Sequence, residues 1–338
     1  MDKVDIKSLA KELNISVSTV SRALRDSHEI SRATIDRVKA LAEERNYQPH
    51  PYASILRKSK TKTIGIIVPE VANNFFAKVF SGIETIAQEN KYHSLIYLTH
   101  DDYEKEVAIL KHLQSGRVDG VIMSIASNTT QHDHIKALTE AGIQIIFFDR
   151  IEESIATTKV TTDDFESAYN ATVHLIEQGC KNILHITRFI HHTNTKYRKQ
   201  GFVKACQDYQ LPINERWIIE CSNEHEADEL LYNALNVADK PDAIFSSVES
   251  LSLHPYKVCK ELGIQIPKDL KLVSFSNMDA ASLLVPALTT ITQPAFEIGK
   301  ATAKALLEKI EKKKKNIAVD AVIKLPSKLI IRESSVND

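Results

Sequence analysis

From Thr63 onward the chain alternates short, wholly apolar runs with amphipathic stretches, and it does so twice over. Ile64-Gly-Ile-Ile-Val68, Ser94-Leu-Ile-Tyr-Leu98, Gly120-Val-Ile-Met-Ser124 and Ile143-Gln-Ile-Ile-Phe-Phe148 read as buried strands, with helices near 75–90, 103–115 and 132–141. A strand that is apolar on both faces needs cover on both, and a parallel sheet flanked by crossover helices supplies it. The rhythm restarts with Val160-Thr-Thr162 and continues through strands at 182–186, 217–219, 243–245 and 272–275, separated by helices near 164–178, 196–209, 227–235 and 251–262. The body is therefore predicted as two similar α/β lobes. Ligands of such sheets sit beyond the carboxyl ends of the strands, so two sets of ends predict one cleft. The segment Thr289–Pro294 and a helix over 296–312 are candidates to cross back to the first lobe, which periodicity alone leaves open.

The first sixty residues follow a different pattern. Ile6, Leu9, Ala10 and Leu13 repeat at helical spacing, and after the tight Asn14-Ile15 connection Val20, Ala23 and Leu24 form the apolar face of a second short helix with Ser16 as its N-cap. Two such helices bury too little by themselves. A third, from Ser31 to about Tyr47, closes the core with Ile35, Val38, Leu41 and Ala42. The unit reads as a helix-turn-helix whose second helix shows Val17, Ser18, Ser21 and Arg22 on its other face and can enter a major groove. Two prolines, Pro49 and Pro51, then stop the helix. A short segment, Tyr52–Arg57, runs into Lys58-Ser-Lys-Thr-Lys62 and is too brief to be a stable helix unless a partner orders it.

Charge is distributed unevenly along the chain. The net charge is only -1, but residues 1–62 carry thirteen Lys and Arg against eight Asp and Glu, a net of +5, which leaves about -6 for the rest. A basic head on an acidic body places phosphate-backbone binding in the head. No run approaches the eighteen apolar residues of a membrane span and no signal peptide is evident, so no membrane partner is expected and the location is read as cytoplasmic. Cys180, Cys206, Cys221 and Cys259 are scattered, without the close pairs that hold zinc. With nine glycines and no phosphate-cradling loop, neither a metal nor a nucleotide cofactor is expected. The lysine run 312–315 reads as the solvated end of a helix.

The motifs in order resemble those of the lactose/galactose repressor family of transcriptional regulators. The head carries Ile6-Lys-Ser-Leu-Ala10, Val17-Ser-Thr-Val-Ser-Arg-Ala-Leu24 and Asn46-Tyr-Gln-Pro49. The body carries Thr63-Ile-Gly-Ile-Ile-Val-Pro69, Asn74-Phe-Phe76, Gly82-Ile-Glu84, Val118-Asp-Gly120, Phe148-Asp-Arg150, Arg198-Lys-Gln-Gly-Phe202 and Pro286-Ala-Leu-Thr-Thr-Ile-Thr-Gln-Pro294. The resemblance implies an all-α headpiece (1–48), a hinge (49–62) and a two-lobed, periplasmic-binding-protein-like body (63–338). Lobe one is expected over about 63–160 and 292–320, and lobe two over about 161–291 and 321–338. It further implies a homodimer that binds a pseudo-palindromic operator under the control of a small carbohydrate-like effector. Such control is a linkage, limited by the effector's differential affinity for two body states.

Residue by residue, the resemblance puts base reading on Val17, Ser18 and Arg22. Of these Arg22 alone can pair bidentately with guanine. Thr19, Ser21, Ser31, Thr34 and Tyr47 are expected at the DNA backbone, where hydroxyls fix register, although Ser31 serves equally well as a helix cap. Ala53 and Leu56 match the hinge positions in the minor groove, with Leu56 as a wedge. For the effector, Phe75 or Phe76 is expected to pack on the ligand or in the core. Arg150 and Arg198 offer rigid forks for hydroxyls or a carboxylate. Glu249, Ser276 and Asn277 stand where the family commonly carries other polar ligands, an Asn-Asp pair and an Asp. With Ser276 standing where the family commonly carries a carboxylate and a cation-rich segment at 188–198, a sugar acid or sugar phosphate is a candidate effector. The pairs Asp101-Asp102, Asp163-Asp164 and His191-His192 are adjacent and so diverge in regular structure, which gives no acid/base constellation and no expected catalysis. The alternative function is a cytoplasmic sugar-binding protein without regulatory DNA binding, which the attached headpiece opposes.

Overall fold

The computed structural model describes residues 5–45, 47, 61–188, 191–312 and 320–337. The chain divides into two units, Met1–Thr61 and Lys62–Asp338. In the first, three helices close one core: α1 (Ile6–Leu13), α2 (Val17–Ala23) and α3 (Arg32–Glu44). Leu9, Ala10, Val20, Ala23, Ile35, Val38 and Ala42 are buried together, as the spacing requires. Each helix start is capped. Asp5 and Ser8 exchange reciprocal side-chain to backbone bonds at α1, while Ser16 and Ser31 accept from the N–H groups of Thr19 and Thr34. Asn14 ends α1 in the left-handed region (φ 54°), which Asn tolerates and which makes the tight turn into α2. The third helix stops at Glu44 rather than continuing to Tyr47. Tyr47 is half-buried against the headpiece core, its N–H donating to the carbonyl of Ala42 at 2.8 Å. The hinge residues Ala53 and Leu56 lie outside the described residues, as do Lys313–Lys315.

The second unit contains two six-stranded sheets. The first has strands β1 (Thr63–Val68), β2 (His93–Leu98), β3 (Gly120–Met123), β4 (Gln144–Phe148), β5 (Lys159–Thr162) and β11 (Val322–Leu325), in the order β11-β5-β4-β3-β1-β2, all parallel. Its faces are covered by α4 (Asn74–Glu89), α5 (Tyr103–Leu113), α6 (Asp133–Glu140) and α11 (Ala295–Lys312). The second sheet has β6 (Ile183–Thr187), β7 (Ile218–Glu220), β8 (Ala243–Ser246), β9 (Lys271–Phe275), β10 (Thr289–Thr292) and β12 (Lys328–Ile330), in the order β12-β10-β9-β8-β6-β7, with only β12 antiparallel. Its helices are α7 (Asp164–Glu177), α8 (Thr193–Asp208), α9 (Glu224–Leu235) and α10 (His254–Leu262). Each sheet lies between two apolar layers, which is why its central strands carry no polar face.

Three expectations are corrected. The strand at 159–162 does not open the second lobe but pairs with β4 through Phe148 and Val160, so it closes the first sheet. Residues 322–325, assigned above to lobe two, pair with β5 in the first sheet; they satisfy the open ladder edge of β5, a long-range demand that their half-exposed pattern does not announce. Finally, β2 is an edge strand and not a buried one: Leu95 and Ile96 are more than two-fifths exposed. The chain therefore passes between the lobes three times, at residue 163, at 293–294 and at 326–327. The crossings are tied together: the Asp163 carboxylate accepts from the N–H of Ser327 at 2.7 Å, and the Gln293 amide donates to the Thr162 hydroxyl at 3.3 Å.

Helix α11 lies against α4 by backbone contact. A Cβ on Gly82 would fall 2.1 Å from the carbonyl oxygen of Phe296, and one on Gly299 would fall 2.1 Å from that of Val79. Neither obstacle is a flexible side chain. Gly82→Ala and Gly299→Ala are each expected to destabilise the body by roughly 1–3 kcal/mol through overpacking, read as a lower urea midpoint with an unchanged slope. An unchanged midpoint in both variants contradicts the close packing of these helices.

Candidate functional site

Residues that follow the carboxyl ends of strands in both sheets line one cavity of about 250 Å³ between the lobes. From the first lobe come Glu70 and Asn73 after β1, Phe75 and Phe76 in the first turn of α4, Asp101 after β2, and Asp149 and Arg150 after β4. From the second come Arg188 and His192 after β6, Asn194, Thr195 and Arg198 in α8, Val248, Glu249 and Ser250 after β8, Phe275, Ser276 and Asn277 at β9, and Gln293 after β10.

Arg198 is the most constrained of these side chains. It is 4% exposed, its Nε donates to Asp164 at 2.7 Å, its Nη1 donates to the carbonyl of Ser247 at 2.7 Å, and the guanidinium lies 3.8 Å from the centre of the Phe275 ring. Its buried Nη2 has no protein partner among the described residues. Asp164, the residue that holds it, is itself buried, and desolvation outweighs the pull of Arg198 and pushes its carboxyl up to about 6. Arg150 is also buried and donates to Asp101 at 2.5 Å. Arg150 and Arg198 thus each arrive with a carboxylate already attached, as buried guanidinium groups require.

Phe75 and Phe76 both line the cavity and both belong to the first-lobe core, Phe76 meeting Phe75 and Phe148 edge to face at 5.3 and 6.1 Å. The ring of His192 is buried, and desolvation with the nearby charge of Arg150 pushes it down to about 2, so it faces the cleft as a neutral imidazole. Adjacent residues diverge as expected: Asp102 caps α5 through the N–H of Lys105, while Asp101 turns to Arg150. Likewise His191 is exposed and His192 is not.

Glu249, Ser276 and Asn277 are joined into one feature. The Glu249 carboxylate accepts from the Ser276 hydroxyl at 3.3 Å and from the Asn277 N–H, so a carboxylate does stand beside Ser276, supplied from another loop. The cleft has therefore not lost a carboxylate at this point, while Arg188 and Arg198 of the cation-rich segment do line it. Around the cavity the walls are tied directly: the Asn194 amide donates to Asp149 at 3.2 Å, the Thr193 hydroxyl to the Ile151 carbonyl at 3.0 Å, and Lys78 to Asp279 at 2.6 Å.

In the headpiece, Val17, Ser18 and Arg22 are exposed on α2, opposite the buried Val20 and Ala23. Arg22 meets Glu29 at 2.8 Å with both side chains more than half exposed. Ser21 is half-buried and holds Arg25 through its carbonyl at 3.0 Å. The hydroxyl of Thr19 bonds Ser16 at 2.8 Å, and those of Ser31 and Thr34 bond each other at 2.8 Å, so all three take part in capping.

Comparison with known proteins bears on both units. Residues 61–333 match the model described as periplasmic binding proteins and sugar binding domain of LacI family, and residues 5–50 match that of bacterial regulatory proteins, lacI family. The chain belongs to the lacI family. This lacI-family protein is a DNA-binding transcriptional regulator with a sugar-binding domain, and its relatives are regulators and not enzymes. It is 32% identical over 332 residues to the NTD biosynthesis operon regulator NtdR of Bacillus subtilis (strain 168), covering 98% of this chain and 99% of that one. It is 31% identical over 315 residues to the HTH-type transcriptional repressor PurR of Aliivibrio fischeri (strain MJ11), covering 91% and 92%. Among solved structures, a LacI family transcriptional regulator from Enterococcus faecium with bound ribose aligns with a TM-score of 0.71 at 28% identity, over 81% of this chain and 98% of that one. The lac repressor dimer bound to operator and the anti-inducer ONPF aligns with a TM-score of 0.86 at 19% identity, over 99% and 100%, which shows the common fold.

Several cavity residues of this lacI-family body escaped sequence reasoning: Asp149, His192, Asn194 and Gln293 line the cleft, and Asp164 holds Arg198 from behind. The signals were present in Phe148-Asp-Arg150 and in the Asp163-Asp164 pair, but pairing across 34 positions carries no local mark. Because folding raises the Asp164 carboxyl from 3.8 to about 6, its contribution to stability is full below about pH 4 and is lost as the pH rises to about 6. The stability of the wild type relative to Asp164→Asn is therefore expected to fall by on the order of 3 kcal/mol across that window and to stay level above it. Urea unfolding at stepped pH checks this, and parallel curves for the two proteins contradict it.

Proposed function

We propose that this protein is a dimeric repressor whose affinity for a pseudo-palindromic operator is set by a small, neutral, polyhydroxylated effector, a sugar or sugar derivative, in the interlobe cleft. The observation that carries the effector reading is Arg198, rigidly held on two sides with one buried NH₂ group left over. A buried donor without a partner costs roughly 1–3 kcal/mol, and a ligand hydroxyl offsets that cost. The bound ribose of the Enterococcus faecium relative supports the class. The cavity is below the roughly 300–1,000 Å³ of drug-sized sites, which suits one sugar ring. Arg150 and Arg198 already have carboxylate partners and Glu249 adds a further carboxylate to the wall, so neutrality is favoured over a sugar acid or phosphate. Thermal unfolding in the presence of neutral pentoses and hexoses, uronic acids and sugar phosphates tests it. A neutral sugar is expected to raise Tm, and Arg198→Met is expected to abolish the rise. A response confined to phosphates or uronic acids contradicts the proposal.

For operator recognition, the Arg22–Glu29 pair is exposed and worth about 0–1 kcal/mol, against about 1–3 kcal/mol for a bidentate pair with guanine. Arg22 is therefore free to exchange partners on DNA. Mobility shift with a degenerate operator library is expected to enrich a palindrome, and Arg22→Ala to cost about 1–3 kcal/mol and to relax one position per half-site. Uniform weakening at every sequence means that Arg22 contacts only phosphate. Thr19, Ser21, Ser31, Thr34 and Tyr47, together with Ala53 and Leu56 of the hinge, remain proposed DNA contacts on the strength of the family motif.

The dimer is supported by apolar surface in both lobes: Leu95 and Ile96 on the free edge of β2 in the first, and in the second Leu253, Leu283 (80% exposed) and Val285 (92% exposed). Such residues mark an association surface when they cluster. Leu283→Asp with Val285→Asp is expected to yield monomers in sedimentation equilibrium. A dimer as tight as that of the wild type contradicts this assignment.

A further inference from the structure

Glu249 opens the short turn Glu249–Leu251 that follows β8 in the second lobe. One carboxylate oxygen accepts from the backbone N–H and from the side-chain amide of Asn74, both at 3.2 Å, and Asn74 is the first residue of α4 in the first lobe. The other oxygen accepts from the Asn277 N–H and, at 3.3 Å, from the Ser276 hydroxyl. A single carboxylate is thus held by four neutral donors, two on each wall of the cleft. The reason lies partly in α4. The first N–H groups of a helix have no partner within it and carry its positive dipole end. Asn73 caps α4 through the N–H of Phe75, so the N–H of Asn74 takes its acceptor from Glu249, 175 positions along the chain. One turn further, Lys78 bonds the carbonyl of Asn277 at 2.9 Å and the carboxylate of Asp279 at 2.6 Å, so the same two segments are tied twice.

Two backbone N–H groups, an amide and a hydroxyl converging on one point form an anion-binding set. We infer that Glu249 is a built-in ligand of the cleft, its carboxylate filling the donor set that would otherwise take the anionic group of an effector, joining the lobes as it does so. This rests on the cleft being the effector site. Glu249 then determines specificity: a phosphate or carboxylate meets a like charge where its donors are already taken, whereas a neutral polyol fits beside it. Glu249 also contributes to lobe closure through contacts that no effector has to supply.

The test uses the full chain, wild type and Glu249→Ala, with sodium acetate as the probe against sodium chloride at equal ionic strength. Amide hydrogen exchange over 74–78 and 274–278 and thermal unfolding are the readouts. Exchange in both segments is expected to be at least tenfold faster in the variant. Acetate is expected to slow it again and to raise Tm saturably, with no such response in the wild type. Unchanged exchange in Glu249→Ala, or an equal acetate response in the wild type, overturns the inference. Should Glu249→Ala fail to fold, Glu249→Gln keeps the shape but turns an NH₂ toward one donor pair; faster exchange in one of the two segments is expected, and full protection of both overturns the inference. Neither readout involves DNA or a sugar, so this inference and the repressor reading fail separately.

Discussion

The body depends on one constraint: its two sheets, parallel but for β12, are built from a chain that passes between them three times, at residue 163, at 293–294 and at 326–327. A single crossing leaves two domains loosely joined, whereas three bonded together hold the lobes more tightly to each other. The bonds from Asp163 to Ser327 and from Gln293 to Thr162 lie within those crossings. Everything chemically informative in the body sits in front of them. The strand ends of both sheets face one cavity, and the residues that follow those ends supply its walls. A ligand touching both walls changes the relative energy of the lobe positions, which is the physical content of effector control.

Within that frame the cleft is organised by paired charge. Arg198 is buried together with Asp164, and the buried Arg150 meets a half-buried Asp101, since a buried guanidinium without an opposite charge is costly. Phe275 lies against the Arg198 guanidinium and limits its orientation. What these pairs present to the cavity is directed hydrogen-bonding capacity and little net charge, which suits a polyol. Glu249 completes the wall by placing a carboxylate beside Ser276 from a different loop, so a position that looks depleted in sequence is filled in space.

Much of this was legible in the sequence, and the rest was hidden for identifiable reasons. Central strands and helices show in the spacing of apolar residues because a doubly covered sheet demands it. The three-helix core of the headpiece shows for the same reason, down to the caps at Ser16 and Ser31. The strands Val322–Leu325 and Lys328–Ile330 do not show, since they are short edge strands whose pattern is set by partners far away in the chain. Arg150 and Arg198 stand out as residues costly to bury. Their partners Asp101 and Asp164 were visible only as members of adjacent acidic pairs, whose other members turn to helix capping and to a crossing. Glu249 was read as one substitution in a loop, and its bonds to Asn74 are a property of the closed fold.

We propose that ligand in the cleft and operator on the headpiece are thermodynamically linked. The direct measurement is the operator Kd by fluorescence anisotropy, with and without a saturating sugar identified by its effect on Tm, for the wild type and for Arg198→Met. The expected result is a shift of about 5–150-fold in the wild type, abolished in Arg198→Met. An operator Kd indifferent to bound sugar, or a shift that survives Arg198→Met, contradicts this linkage.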